Sequence, residues 1–265
     1  MLKNIFTKTF YEKRWSNFGW FISVVGFSIM IVALFPTFRD SLGEALQNTP
    51  EGLKSLLGDA SSYQNINSYI DVLLLSRIVF LTLIMGVVLG TGLLSGEESD
   101  GRLQSLLAQP VSRTKIYWQK FFAMNIIIFL ITSGMFFGSA IGAMMVGELD
   151  SLNLPRLVQA TLMTALITSA FGTLAYSIGA ITGKKGTAGI VAGFFAFASY
   201  MITTLAGTAT VLKNVNYFSP FKYFNDPGIM GNGIDINHLG IFTLIIALLA
   251  FLGWIIFTRR DIYQK

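Results

Sequence analysis

Few side chains in this sequence of 265 residues could carry out covalent or metal chemistry. It has no cysteine, which excludes disulfides, thiolate metal sites and cysteine nucleophiles. One histidine, His238, is too few for a metal site built from histidines. It also has no credible Ser and Asp partners for a catalytic triad. We therefore expect no catalytic residue and no metal site on this chain.

One stretch has a faint likeness to a phosphate-binding loop, Gly179–Lys185 with the sequence GAITGKK. Such a loop needs four residues between its glycines, and a Ser or Thr after the lysine to coordinate magnesium. Here three residues separate Gly179 from Gly183, and Lys185 stands at the magnesium position. The sequence predicts a basic loop at a membrane edge instead, with no nucleotide or other cofactor bound to this chain.

The remaining concentration of charge is Ser95–Lys120, SGEESDGRLQSLLAQPVSRTKIYWQK, which lies between two apolar runs. Ser99 or Asp100 can cap a short helix here. Its apolar stripe has the helical spacing i, i+3, i+4 and consists of Leu103, Leu106 and Leu107. Pro110 ends this helix and Ser112 can cap the next one. A helix of this type docks on lipid, on its own bundle or on a partner.

The elements around this stretch are membrane spans. The chain is 53% hydrophobic and only 12% charged, with a mean hydropathy of +0.61, whereas a soluble domain has about 25% charged residues. We predict an all-α, polytopic membrane protein of one domain, 1–265. Its six spans are predicted at about 18–35, 72–94, 121–146, 157–182, 188–212 and 239–257.

Two further segments are predicted outside the spans. Residues 1–16 form an interfacial helix, in which Ile5, Phe6 and Phe10 share an apolar arc opposite lysines. Residues 213–238 form an irregular outer cap, since they contain asparagines and prolines.

The distribution of basic residues orients the chain. Thirteen of the 19 Lys and Arg residues fall in segments on the side of the N-terminus and five on the other side. By the positive-inside rule, both termini and Ser95–Lys120 are cytosolic. The net charge of +5 is thus explained by topology, and no nucleic-acid partner is expected.

Arg77 is the one charge predicted inside a span. It lies near the outer end of the second span, where its side chain can snorkel toward Asp71. The alternative is that it lines a substrate path.

Glycines recur at a four-residue spacing in the spans, as at Gly134, Gly138 and Gly142. Such faces let helices approach closely, and we expect them to pack within the chain.

Three motifs together resemble the ABC-2 type transporter permeases. The central one is Ser95-Gly-Glu-Glu98, followed by Gly101-Arg-Leu-Gln-Ser-Leu-Leu-Ala-Gln-Pro-Val-Ser-Arg113, with Arg102 where the family usually has Thr. The others are Phe218-Ser-Pro-Phe221 and the terminal Phe257-Thr-Arg-Arg-Asp261. With the six-span layout, the resemblance extends over nearly the whole chain.

The resemblance implies a bacterial inner-membrane subunit that pairs with a second permease, the same or a different chain. Each permease docks a separate cytosolic ABC ATPase, two per transporter, which binds ATP and Mg²⁺. The coupling helix lies between spans 2 and 3, flanked by the N-terminal interfacial helix. The implied coupling residues are Glu97, Glu98, Gly101, Leu103, Leu106, Leu107, Pro110 and Arg113.

Each coupling residue has an implied role. The leucines fill a groove on the ATPase. The glutamates pair with basic residues of the partner or of this loop, and Gly101 permits a sharp exit from the span. Arg113 pairs with a carboxylate or lipid phosphate.

The family resemblance also implies export, and spans rich in Phe and Met suit a hydrophobic or amphipathic substrate. The alternative is a membrane protein without an ATPase partner: a channel, a carrier or an immunity-type protein.

Overall fold

A computed structural model describes residues 4–45, 63–207, 210–226 and 228–262. Regular structure in these ranges is helical throughout, and six helices are long and apolar enough to cross a membrane. The predicted all-α class and the number of spans are confirmed. Residues 46–62 lie outside the described part of the chain.

The six long helices are α1 (Ile5–Ala33), α3 (Ile66–Leu93), α6 (Arg113–Met145), α7 (Leu154–Thr182), α8 (Lys185–Leu205) and α11 (Ile236–Arg259). The shorter helices are α2 (Phe35–Ala45), α4 (Ser95–Ser99), α5 (Arg102–Leu107), α9 (Thr210–Val215) and α10 (Ile229–Asn232). Two 3₁₀ turns, Asn216–Phe218 and Pro220–Tyr223, lie between α9 and α10.

The long helices alternate in direction, so the bundle has two ends. The end that holds residues 94–112, the α7–α8 junction and Arg260 is called the motif end. The opposite end, with residues 147–153 and 216–235, is called the cap end.

Helix α7 is the centre of the bundle, packing against α3, α6, α8 and α11. Glycines set the distance to its neighbours: a Cβ on Gly90 of α3 would lie 2.3 Å from the Gly172 carbonyl oxygen of α7. On α6, a Cβ on Gly138 would lie 2.5 Å from the Val25 carbonyl oxygen of α1. The glycine faces of α3 and α6 therefore pack within the chain, as predicted.

The first helix differs from the prediction. In place of an interfacial helix over 1–16 and a separate span over 18–35, α1 is uninterrupted from Ile5 to Ala33. The described helix contains no proline, and its glycines do not break it. The turn comes at Leu34, and Pro36 lies in the first turn of α2, where a missing N–H costs nothing.

The fifth long helix also ends earlier than the predicted 188–212. Helix α8 ends at Leu205 because the following chain folds back onto its last turns. The Ser219 hydroxyl donates to the Ser199 carbonyl oxygen at 2.8 Å, and the Thr203 hydroxyl donates to Asn216 Oδ1 at 2.8 Å.

Candidate functional site

The motif end has a break in the chain between α3 and α6. Helix α4 ends at Ser99, and Gly101 has a φ of 72°, in the left-handed region that glycine adopts without a Cβ penalty. Gly101, not Ser99 or Asp100, is the N-cap of α5, so the predicted side-chain cap is wrong. Helix α5 ends at Leu107, before Pro110, and Ser112 caps α6 by accepting from the Lys115 N–H at 3.2 Å.

The leucine stripe of α5 points into the bundle. Leu103 is 0% exposed and Leu106 is 7% exposed, both in the hydrophobic core of the chain, and Leu107 is half-buried against that core. For Leu103 and Leu106 this corrects the prediction that the leucines fill a groove on a partner, and for Leu107 it stays a prediction. Apolar periodicity marks the buried face of a helix, and here the bundle itself buries it.

The opposite face of α5 and the turn after it are exposed. This surface, called the outer face, consists of Arg102, Ser105, Ala108, Gln109 and Pro110. Arg102 pairs with Asp100 at 2.6 Å, and the hydrogen bond that the guanidinium donates to that carboxylate raises the pKa of Arg102. Both side chains are more than half exposed, so the pair contributes little to stability.

Glu97 is paired inside the chain. Its carboxylate lies 2.5 Å from the ammonium of Lys120, which also donates to the Leu93 carbonyl oxygen at 3.0 Å. The Lys120 side chain is 3% exposed and that of Glu97 is 12% exposed. A buried ammonium needs such a carboxylate, because its desolvation is otherwise uncompensated. The pair ties α4 to the start of α6.

Glu98 is paired with Arg260, directly after α11. The Arg113 guanidinium donates to the Arg260 carbonyl oxygen at 2.5 Å. A Cβ on Gly183, which closes α7 with a φ of 68°, would meet both side chains of the pair. The Glu98–Arg260 pair therefore joins the central motif to the terminal Arg-Arg-Asp motif and to the end of α7.

The start of α1 lies beside this region. A narrow crevice is lined by Ile5, Lys8 and Glu12 of α1 and by Glu97, Arg102, Leu106 and Lys120. Ile5 and Phe10 pack against the core, and Phe6 is half-buried. The apolar arc of the predicted interfacial helix is thus next to the central motif.

The stretch Gly179–Lys185, which has a faint likeness to a phosphate-binding loop, has a different structural role. Gly183 is the left-handed C-cap of α7, and a Cβ on Gly179 would lie 2.6 Å from the Ser95 hydroxyl oxygen. Both glycines serve close packing with α4. Among the described residues, no group of three His, Asp or Glu side chains could hold a metal ion.

Arg77 lies at the other end of the bundle. Residues Ile70–Leu75 of α3 form a π-helical segment, and the guanidinium donates to the Leu73 carbonyl oxygen at 3.1 Å and to the Ser76 hydroxyl at 2.9 Å. The predicted approach to Asp71 is wrong, because Asp71 accepts from the Met230 and Gly231 N–H groups at 3.0 and 3.2 Å. Arg77 thus donates hydrogen bonds to backbone carbonyl oxygens that lack their usual helical N–H donors in the π-helical segment.

Sequence reasoning allowed the glutamates a basic partner within Ser95–Lys120 without choosing one, and Lys120 is that partner for Glu97. It missed Arg260, which was noted only as part of a terminal motif. The available signal was the presence of two adjacent acidic residues at the edge of a span, which need basic residues from neighbouring helices.

The six long apolar helices indicate a multi-pass membrane protein, in which a broken segment between two spans is fixed to the bundle by ion pairs. Residues 3–262 match the sequence profile of the family described as ABC-2 family transporter protein. The match covers nearly the whole chain, so the protein belongs to this family and is the membrane subunit of an ABC transporter. Membership implies an ABC ATPase as partner. No curated protein matches the chain.

Proposed function

We propose that the chain is the membrane half of an ATP-driven exporter of a hydrophobic or amphipathic substrate. A separate cytosolic ATPase, holding ATP and Mg²⁺, docks at the motif end. A second permease, identical or different, completes the pathway in a bacterial cell membrane. Both termini are cytoplasmic, as the excess of Lys and Arg at the motif end favours.

One observation carries the docking proposal: α5 is fixed to the bundle by its buried leucines while its outer face stays uncovered. A lever must be rigidly joined to what it moves and accessible to what pushes it. Ser105 and Ala108 lie at the centre of the outer face, and Pro110 is at its edge. Leu107, which is half-buried, lies beside it.

Ion pairs of α4, the helix directly before this lever, supply the connection to the spans. Glu97 joins α4 to α6 through Lys120, and Glu98 joins α4 to α11 through Arg260. A push on the outer face is then transmitted to two long helices at once, as a displacement of packed elements between two states. Arg113 supports this connection through the Arg260 backbone.

The test uses bulky side chains on the outer face. Ser105→Trp and Ala108→Trp, which leave the buried leucines untouched, abolish co-purification of the ATPase in mild detergent and the ATP hydrolysis that depends on this chain. Thr187→Trp is the matched control, because it adds the same side chain to an exposed position at the motif end, in the first turns of α8. Undiminished ATPase association in the Ser105→Trp/Ala108→Trp double variant contradicts docking on the outer face.

A further inference from the structure

We propose that the groove between α3 and α8 binds a zwitterionic amphiphile, with its charged head in a cavity at the cap end that has two opposite charges in its wall, and its hydrocarbon chain along an adjoining apolar groove. This proposal rests on the proposed export function and names the binding place and chemical class of the cargo.

The cavity has a volume of about 260 Å³. Its walls are the start of α3 at Ser76 and Val79, the end of α8 at Tyr200, and the segment 216–226 that folds over them. Pockets for complete drug-sized ligands have about 300–1,000 Å³. The cavity therefore suits a head group better than a whole lipid.

Two opposite charges line this cavity. Lys222 and Asp226 form no ion pair with each other or with another of the described residues. The Lys222 ammonium lies 3.1 Å from the centroid of the Tyr217 ring, a cation–π contact that leaves N–H donors for an anion. A head with an anionic group and an ammonium can satisfy both residues, whereas a head with one charge places a like charge beside one of them.

An apolar groove of about 250 Å³ lies along the same two helices. It begins one helical turn nearer the motif end, at Phe80 and Leu83 of α3 and at Ala196 and Phe197 of α8. The rings of Phe80 and Tyr200, with centroids 4.5 Å apart and edge to face, stand between the cavity and the groove. A cavity with two charged residues in its wall, followed by an uncharged apolar groove, matches the order of groups in an amphiphile.

The groove is open toward the surroundings of the bundle. Ile84 is 58% exposed and Phe197 is 61% exposed. In a membrane these side chains face hydrocarbon, so an acyl chain can move into the groove sideways while the head reaches the cavity under residues 216–226. A Cβ on Gly193, in the wall of the groove, would meet nothing within 4 Å.

The binding test compares three lipids that have identical acyl chains with a photoreactive group. Their heads are phosphoethanolamine, which is zwitterionic, phosphoglycerol, which is anionic, and the uncharged hydroxyl of diacylglycerol. The full chain is labelled in an uncharged maltoside detergent, and labelled peptides are identified by mass spectrometry. The phosphoethanolamine lipid labels the groove residues of α3 and α8 roughly tenfold more than the other two.

Charge and shape variants make this test specific. Lys222→Gln and Asp226→Asn each remove the preference for the zwitterionic head, and Lys213→Gln, an exposed lysine at the cap end outside the cavity, retains it. Gly193→Leu fills the groove and removes labelling. Gly26→Leu, at an exposed glycine of α1 with equally open surroundings, does not. Equal labelling by the three lipids, or labelling unaffected by these variants, overturns the site.

The cargo role is tested on the complex with the ATPase. The phosphoethanolamine lipid raises ATP hydrolysis with the unaltered chain and with Gly26→Leu, but not with Gly193→Leu. Labelling of the groove without this stimulation overturns the cargo assignment and marks the occupant as an ordinary bilayer lipid. Labelling uses the permease alone, so failure of the ATPase to associate would contradict the proposed function and leave the binding result standing.

Discussion

The two ends of the bundle hold irregular chain in different ways. At the motif end, two largely buried ion pairs join elements of the bundle: Glu97 pairs with Lys120, and Glu98 pairs with Arg260. At the cap end, the ion pair between Arg39 and Glu148 is more exposed, and two other charged side chains bind backbone. Asp71 accepts from the N–H groups of Met230 and Gly231, and Arg156 donates to the Met230 carbonyl oxygen at 3.0 Å.

The polar contacts at the two ends therefore have different structural roles. Ion pairs fix the positions of helices relative to one another, which suits an end that transmits force. Side chains that bind backbone satisfy the polar groups of non-helical chain near a membrane, where unpaired N–H and C=O groups are costly. The contacts at the cap end therefore stabilise the conformation of a loop, and the ion pairs at the motif end fix the positions of helices relative to one another.

The largest expected effect comes from breaking the more buried ion pair. Lys120→Met leaves the Glu97 carboxylate without its cation and destabilises the protein by about 3 to 5 kcal/mol, as loss of one partner of a buried pair does. The free energy of unfolding in mild detergent measures this.

The matched control removes both charges. Lys120→Met with Glu97→Gln recovers at least half of the loss, because no unpaired charge remains. A single variant as stable as the unaltered protein would show that the pair does not hold α4 to α6.

The next effect compares two glycines of the motif end. Gly183→Ala adds a Cβ that meets Glu98 and Arg260 at a left-handed position, which costs about 2 to 3 kcal/mol. Gly101→Ala has the same backbone strain but its nearest contact is 3.9 Å away, so it costs about 1 to 2 kcal/mol. Equal losses of thermal stability in the two variants would argue against close packing of the Glu98–Arg260 pair on Gly183.

A smaller effect is expected at the cap end. Asp71→Asn keeps the size of the side chain but weakens its bonds to the Met230 and Gly231 N–H groups, which lowers stability by about 1 to 2 kcal/mol. ATPase association stays unchanged, because the motif end is not involved. Loss of the ATPase in pull-down experiments with this variant would mean that the two ends are not separate units.

The smallest effect concerns Arg77. Arg77→Ala removes hydrogen bonds to carbonyls of the π-turn and changes stability by about 1 kcal/mol or less, with ATPase docking retained. Transport measured in vesicles separates the two roles considered for this residue. Normal transport identifies Arg77 as a support of the π-turn, and loss of transport with normal assembly identifies it as a residue of the substrate path.

The sequence predicted the helical class, the six spans and the position of the central motif. These depend on local properties, namely the length of apolar runs and the residues that begin and end helices. It did not predict what covers Leu103 and Leu106. The i, i+3, i+4 spacing shows that a face is buried, and only the bundle decides whether the cover is a partner or the chain itself.

Contacts between residues that are distant in sequence could not be predicted either. Glu98 and Arg260 are 162 positions apart, and nothing local connects them. The continuous α1 was missed for another reason: the amphipathic residues 1–16 were predicted as a separate interfacial helix, although a change from amphipathic to apolar composition does not break a helix.

The pairing of Glu98 with Arg260 has a consequence for biosynthesis. During translation the central motif is made well before the last helix leaves the ribosome, so Glu98 must wait for the final residues of the chain. A truncated product that lacks Arg260 has the whole central motif but not the contact that joins α4 to the last helix. Completion of the polypeptide is thereby a condition for fixing the central motif to α11.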